Sequence, residues 1–149
     1  MIVTAMDVAR AMALRSEDPY CQVGAVALTK DNRIIATAYS GLLPGVGWDM
    51  LQMHLRQNSG KSSIFTKDSD LRNARLPFMV HAEQNLCSLI RRNEATLTVV
   101  TVMPCASCTL LLAVHGIRRI VFLQEYARDQ AAFDLAKFYG MSISKFEDA

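Results

Sequence analysis

Four cysteines, four prolines and one tryptophan in 149 residues set the first limits. Cys21, Cys87, Cys105 and Cys108 are too few for a disulfide scaffold at this length, so the reducing cytoplasm is the expected compartment. An excess of one charge is missing as well, since sixteen Lys and Arg against fourteen Asp and Glu leave a formal charge of +2. Duplex-coating proteins gather positive charge on one face. The pairs Arg91-Arg92 and Arg118-Arg119 are too short for such a patch and read as a solvated helix face or strand end. No apolar run approaches the roughly eighteen residues of a membrane span. Asp7 and Arg10 interrupt the moderately apolar N-terminus, and no basic segment precedes it, so no secretory signal is expected. There is no internal repeat or low-complexity tract.

What is present suits one compact domain over residues 1–149. The composition is 51% hydrophobic and 20% charged, enough to bury a core. Val3, Met6, Ala9 and Ala13 recur at helical intervals, which predicts an amphipathic helix over Ile2 to Leu14, stopped by Asp18-Pro19. Val23 to Leu28 and Arg33 to Tyr39 are β-prone runs around Thr29-Lys30-Asp31-Asn32, the pattern of an antiparallel hairpin. Ser40 to Phe78 is irregular, with four of the seven glycines and two of the four prolines, and Trp48 to Gln57 within it suits a short helix. Beyond it the pattern predicts a helix over Ala82 to Arg92, a strand over Leu97 to Val102, and a helix over Cys105 to His115 closed by Gly116. Then come a strand over Arg119 to Leu123, a helix over Arg128 to Tyr139 and a short strand over Met141 to Ser144. A hairpin followed by β-α-β-α-β makes an α/β domain, a mixed sheet with helices packed on its faces.

The chemistry concentrates in His81-Ala82-Glu83 and Pro104-Cys105-Ala106-Ser107-Cys108. Twenty-four residues separate His81 from Cys105, room for one helix and one strand. Both groups stand at expected helix starts, and folding the intervening strand back sets those starts side by side. Cys105 and Cys108 share one face of a first helical turn, where the positive end of the helix dipole favours thiolate. One nitrogen and two sulfurs leave a fourth position open, which a catalytic zinc needs and a structural one does not. Glu83, two residues past His81, is near the metal without having to ligate it and suits general acid–base work. Taken singly, Cys-x-x-Cys is equally a redox pair or half of a structural zinc site, and His-x-Glu says little. Jointly they point to one catalytic Zn2+ per chain. Cys21 and Cys87 read as space-filling small apolar residues, His54 and His115 as surface or capping residues, and Met50 and Met53 as packing.

At these residues the chain resembles the zinc-dependent cytidine deaminase superfamily, whose pattern is His-x-Glu with Pro-Cys-x-x-Cys, and within it the deoxycytidylate branch. Arg15-Ser16-Glu17-Asp18-Pro19 and Gln22-Val23-Gly24-Ala25-Val26 resemble that branch's Arg-Ser-Lys-Asp-Pro and Gln-Val-Gly-Ala segments. Tyr39-Ser40-Gly41 stands at its Gly-Tyr-Asn-Gly, and His81-Ala82-Glu83-Gln84-Asn85 matches His-Ala-Glu-x-Asn. Gly116-Ile117, the Ile120-Val121-Phe122 strand and Tyr126 match too. The resemblance implies a three-layer cytidine-deaminase-like fold, with a central mixed sheet of about five strands and helices on both faces. It implies hydrolytic deamination of dCMP to dUMP with release of ammonia. In that reading His81, Cys105 and Cys108 hold zinc, its hydroxide attacks C4, and Glu83 protonates N3 and then the departing amine. The Ala82 N–H would meet the pyrimidine O2, and the Met103 carbonyl, before Pro104, the amino group. Val23, Gly24 and Ala25 would line the base pocket, the glycine permitting close backbone approach. Ser40 stands at a position tied to nucleotide contacts, and Arg15 and Tyr126 belong to the 5′-phosphate end. A homo-oligomer, hexamer or dimer, in the cytoplasm is also implied.

Two departures bear on substrate. Glu17 stands where the family often has Lys, and Ser40 replaces an Asn linked to nucleotide contacts and triphosphate effectors; the segment from Leu42 to Val80 is also longer than usual. They keep open a related zinc deaminase acting on a modified cytosine nucleotide, a nucleoside or a purine base. An editor of tRNA or single strands needs a basic groove and stacking aromatics. Aromatics at 7% and a near-neutral charge argue against it. A purely structural zinc in a binding module would have no use for Glu83.

Overall fold

The computed structural model describes residues 1–58, 68–125 and 130–147. In chain order its elements are α1 (Ile2–Ala13), β1 (Gly24–Leu28), β2 (Ile34–Tyr39), α2 (Trp48–Asn58), α3 (Asp68–Ala74), a 3-10 turn (Leu76–Phe78) and α4 (Ala82–Cys87). These are followed by β3 (Leu97–Val102), α5 (Ala106–Val114), β4 (Arg119–Gln124), α6 (Gln130–Phe138) and β5 (Ser142–Lys145). The strands form one sheet in the order β2-β1-β3-β4-β5. β1 runs antiparallel to β2 and β3, while β3, β4 and β5 are parallel. The mixture follows from the connections. A tight turn with Asn32 at φ 63 joins β1 to β2, whereas α5 and α6 provide the crossovers that parallel neighbours require.

Alternation along the strands sends side chains to opposite faces. Val26, Leu28, Leu97, Val99 and Val121 pack against Ala5, Met6 and Ala9 of α1. On the other face Ala25, Ala27, Val100, Ile120 and Phe122 share a cluster with Ala82 and Leu86 of α4, Leu112 of α5, and Ala132 and Ala136 of α6. Helices therefore cover both faces of a five-stranded mixed sheet, as expected from the sequence. No helix among the described residues is long and apolar enough to cross a membrane.

Gly24 lets α1 lie close on the sheet. A Cβ there would meet the Ala9 carbonyl oxygen at 1.9 Å and the Ala13 nitrogen at 2.7 Å. The space on the α1 side of this glycine is thus taken by a helix backbone. α4 is shorter than the helix expected to Arg92. It ends at Cys87, where Ser88 Oγ donates to the Asn85 carbonyl at 2.6 Å. The following turn brings Asn93, at φ 68, to the end of α5, its N–H donating to the His115 carbonyl at 2.8 Å. The long connection contains α2, as expected, and also α3, which the sequence pattern does not announce. It leaves the fold at Gly41 and returns at Val80. These two residues exchange backbone hydrogen bonds of 3.0 and 2.7 Å, one residue ahead of His81.

Candidate metal centre and active site

Two helix starts carry the donors. His81 is the N-cap of α4 in extended conformation (φ −70, ψ 151), and its N–H donates to Gln84 Oε1 at 2.8 Å, which satisfies the cap and fixes the chain entering the helix. Cys105 is the N-cap of α5. Its carbonyl accepts both the N–H and the Oγ1–H of Thr109, each at 2.9 Å, and Thr109 is itself fully buried. β3 delivers the chain to this cap through Met103, whose N–H donates to the Gln124 carbonyl of β4 at 2.8 Å. α4 and α5 pack on one another, so the two starts converge.

The convergence gives the expected triad. His81 Nδ1 lies 3.2 Å from Cys108 Sγ and 3.9 Å from Cys105 Sγ, and all three donor atoms fall within 4.8 Å of one another. Donors around a tetrahedral zinc stand about 3.5–3.8 Å apart, given Zn–S near 2.3 Å and Zn–N near 2.0 Å. The spacing fits zinc, and so does the donor set of one imidazole and two thiols. Cys108 is buried, Cys105 half-buried and His81 exposed, so the cluster opens on its histidine side.

Electrostatics at the cluster follow the hydrogen bonds. Cys105 is drawn down to about 3, chiefly by its bond with Cys108 and then by His81. Cys108 is pushed far up, first by that same bond and then by burial. His81 is raised by its bond to Cys105, against a smaller opposing effect of burial. Cys105 is thus the thiol that gives up its proton more readily, and a dication bound here would favour both as thiolates. Ser107 Oγ lies 3.2 Å from Cys105 Sγ, placed to donate to it. Glu83 is only 4% exposed and is not one of the three clustered donors, though its carboxyl bonds the Cys108 thiol. Burial raises it above the usual carboxylate range. A buried carboxyl beside a metal triad can hold and return a proton.

The other expected site residues are distributed as follows. Ala82, Met103 and Ala25 belong to the buried cluster on the α4/α5 face, and Val23 packs against it; Pro104 is buried just before Cys105. Gly24 donates its N–H to Thr101 Oγ1 near the end of β3, at 3.1 Å. Ser40 is buried, and its Oγ accepts the Val23 N–H at 3.0 Å and lies 3.2 Å from Ser16 Oγ. Arg15 is exposed, with its guanidinium 5.5 Å from the centre of the Tyr39 ring. Tyr39 pairs with Gly24 across the hairpin, and the Cα substituent of Gly24 faces α1, so Arg15 stacks on the α1 face. Tyr126 lies outside the described residues. Cys87 is buried, its thiol pushed up to about 11 by burial, as a space-filling residue should be. Cys21 is exposed and fills no core space. His54 is exposed with its ring against Phe78, and His115 caps α5.

Sequence reasoning misses a buried ion pair. Arg75 Nε donates to Asp18 Oδ1 at 3.0 Å, with both side chains 5% exposed and a sequence separation of 57. No local pattern announces so distant a pair. Asn85, by contrast, lies within the His-Ala-Glu-x-Asn segment, and its Nδ2 donates to the Tyr39 carbonyl at 2.9 Å, tying α4 to the end of β2.

A family model described as the cytidine and deoxycytidylate deaminase zinc-binding region matches residues 2–124. The deoxycytidylate deaminase of Mus musculus is 30% identical over 149 residues, covering 95% of this chain and 76% of the mouse protein. That of Enterobacteria phage T2 is 27% identical, covering 88% of this chain and 84% of its own. Among solved structures, the dCMP deaminase of cyanophage S-TIM5 in complex with dCMP and dUMP superposes with a TM-score of 0.70 at 19% identity. That match covers 97% of this chain and 95% of the other, and shows the shared fold. With the triad, the buried glutamate and the sheet order all in place, the chain belongs to the cytidine and deoxycytidylate deaminase zinc-binding family.

Proposed function

We propose that this chain catalyses the hydrolytic deamination of dCMP to dUMP, releasing ammonia. The observation that carries the reading is Glu83, buried beside three metal donors without joining them. A zinc ion held by His81, Cys105 and Cys108 supplies Lewis acidity that makes water nucleophilic near neutral pH. Glu83 carries two protons in turn, the first from the attacking water to N3 of the pyrimidine, where it stays. The second passes from the new C4 hydroxyl to the leaving amino group, so that C4=O forms as ammonia departs. The Ala82 N–H holds O2 and the Met103 carbonyl receives the amino group, with Pro104 fixing the turn into Cys105. Val23, Gly24 and Ala25 form the wall of the base pocket, and Ser40 supports that wall through its bond to the Val23 N–H. Tyr126 and, despite its stacking on Tyr39 on the α1 face, Arg15 are assigned to the 5′-phosphate end by the family resemblance alone. The exposed Leu110 and Val114 on α5 support assembly into a homo-oligomer.

Similarity to deoxycytidylate deaminases over most of the chain supports the nucleotide branch. One observation favours a second reading, a related deaminase of modified cytosine nucleotides, nucleosides or purine bases. Glu17 replaces an expected cation, and its Oε1 is occupied by the Leu42 N–H at 2.9 Å. Ammonia release by zinc-loaded protein decides between them. A higher kcat/KM for dCMP than for deoxycytidine is expected; equal values, or no turnover of either, would move the substrate to the second class. Glu83→Ala should keep one zinc per chain and lose about 10²–10⁴-fold in kcat. Unchanged turnover would sink the catalytic assignment.

A further inference from the structure

The pair Asp18–Arg75 is the most deeply buried ion pair among the described residues, and the proposed chemistry makes no use of it. Burying two charges costs several kcal/mol of hydration, so such pairs are a poor source of stability; fixing one geometry is the better-attested use. Here the geometry is over-determined. Arg75 also donates through Nη1 to the Arg72 carbonyl, and its guanidinium lies 4.8 Å from the centre of the Tyr20 ring. Asp18 Oδ1 accepts the Tyr20 N–H at 2.9 Å as well, closing an Asx-type turn.

From this anchor a chain of hydrogen bonds leads to α4. The Asp18 N–H donates to Ser16 Oγ at 3.3 Å, and Ser16 Oγ meets Ser40 Oγ. Ser40 grips the loop again through its own N–H, which donates to the Val23 carbonyl at 2.9 Å, and through Oγ, which donates to the Cys21 carbonyl at 3.4 Å. On one side of Ser40, Tyr39 is bonded to Asn85, two residues past Glu83. On the other, Gly41 pairs with Val80, one residue before His81. The 16–23 loop is therefore fastened to the connection that follows β2 by Arg75, and to the helix bearing His81 and Glu83 by Ser40 and its neighbours.

The geometry points to Arg75 as a positioning residue that, through Asp18, sets the 16–23 loop as the wall of the substrate pocket. The inference rests on the proposed role of Val23, Gly24 and Ala25 against the base. Loosening the wall should weaken nucleotide binding while leaving the metal donors and Glu83 where they are. In zinc-loaded protein, Arg75→Met and Asp18→Asn should each raise the KM for dCMP at least about tenfold, with kcat within about threefold and one zinc per chain retained. Amide hydrogen exchange of residues 16–23, followed by peptide mass spectrometry, should accelerate at least about tenfold in both, because the loop is released. Should Arg75→Met fail to fold, Arg75→Lys keeps the charge but loses the planar fork and the ring stacking, and a KM rise of about threefold is expected. A KM within about twofold of wild type in a folded variant overturns the inference, as does a fall in kcat and zinc content at constant KM, the mark of a merely structural pair. Hydrogen exchange needs no substrate. If wild-type protein does not turn over dCMP, the functional reading fails, and an unchanged exchange rate in the variants would then sink the clamp separately.

Discussion

Thr98, Thr101 and Thr109 are three buried threonines that look alike in the sequence and differ in their partners. Thr101 Oγ1 receives the Gly24 N–H, and Thr109 Oγ1 donates to the carbonyl of Cys105. Thr98 has no exposed surface, and its Oγ1 is the buried side-chain polar atom left without a hydrogen-bond partner among the described residues. It sits in the middle of the sheet, opposite Ala27 on one neighbour and Ile120 on the other. A hydroxyl buried in that setting costs about 1–3 kcal/mol of lost hydration. Thr98→Val keeps the shape and removes the cost, so unfolding in urea should show a higher midpoint at unchanged slope, a gain of about 1 kcal/mol. A lower midpoint would mean that the hydroxyl has a partner after all. At this scale the metal donors are legible because His-x-Glu and Cys-x-x-Cys are local spacings. Hydroxyl partners across strands, and the Asp18–Arg75 pair, are not, because only the fold brings them together.

The starts of α4 and α5 were legible as elements because each coincides with a cap and a donor. The end of α4 was not: Ser88 and the left-handed Asn93 act through contacts with neighbouring turns, and the apolar periodicity runs on past them. Gly24 has a packing role that no local pattern announces. Its lack of a side chain accommodates α1, because the nearest atoms to a Cβ are backbone atoms of Ala9 and Ala13, which cannot rotate away. Gly24→Ala must lift α1 from β1 and loosen its contacts with Val26 and Leu28, at a cost of about 2–4 kcal/mol. Gly140 is the control. It has φ 70 and nothing within 4 Å of a Cβ, so Gly140→Ala should cost only the backbone penalty, about 1 kcal/mol. Thermal melts of the two variants should separate clearly. Equal losses would mean that α1 does not press on Gly24 as the distances indicate.

Across the whole molecule, the sheet order and both helical layers follow from what strands and crossovers demand, and that part was legible. The connection between β2 and α4 was legible only in part. α3 spans seven residues with a single large apolar side chain, Leu71, and so displays no stripe from which a helix can be read. The same layering says how the fold depends on its metal. The three donors join the starts of two helices, yet none of them belongs to either apolar cluster; those clusters pack the two faces of the sheet on their own. Small zinc modules without such a core unfold when the ion is removed. Here the helices and sheet should survive, and only the linkage energy of the ion should be lost. At free zinc about a thousandfold above its dissociation constant that energy is about 4 kcal/mol, worth on the order of 10 °C in melting temperature for a chain of this size. Chelation should therefore lower the melting temperature by that amount while the far-UV circular dichroism at 25 °C stays unchanged. Restoring zinc should restore the original melt. Loss of the far-UV signal on chelation would show instead that the ion holds the fold itself, and that the two clusters cannot keep α4 and α5 in place without it.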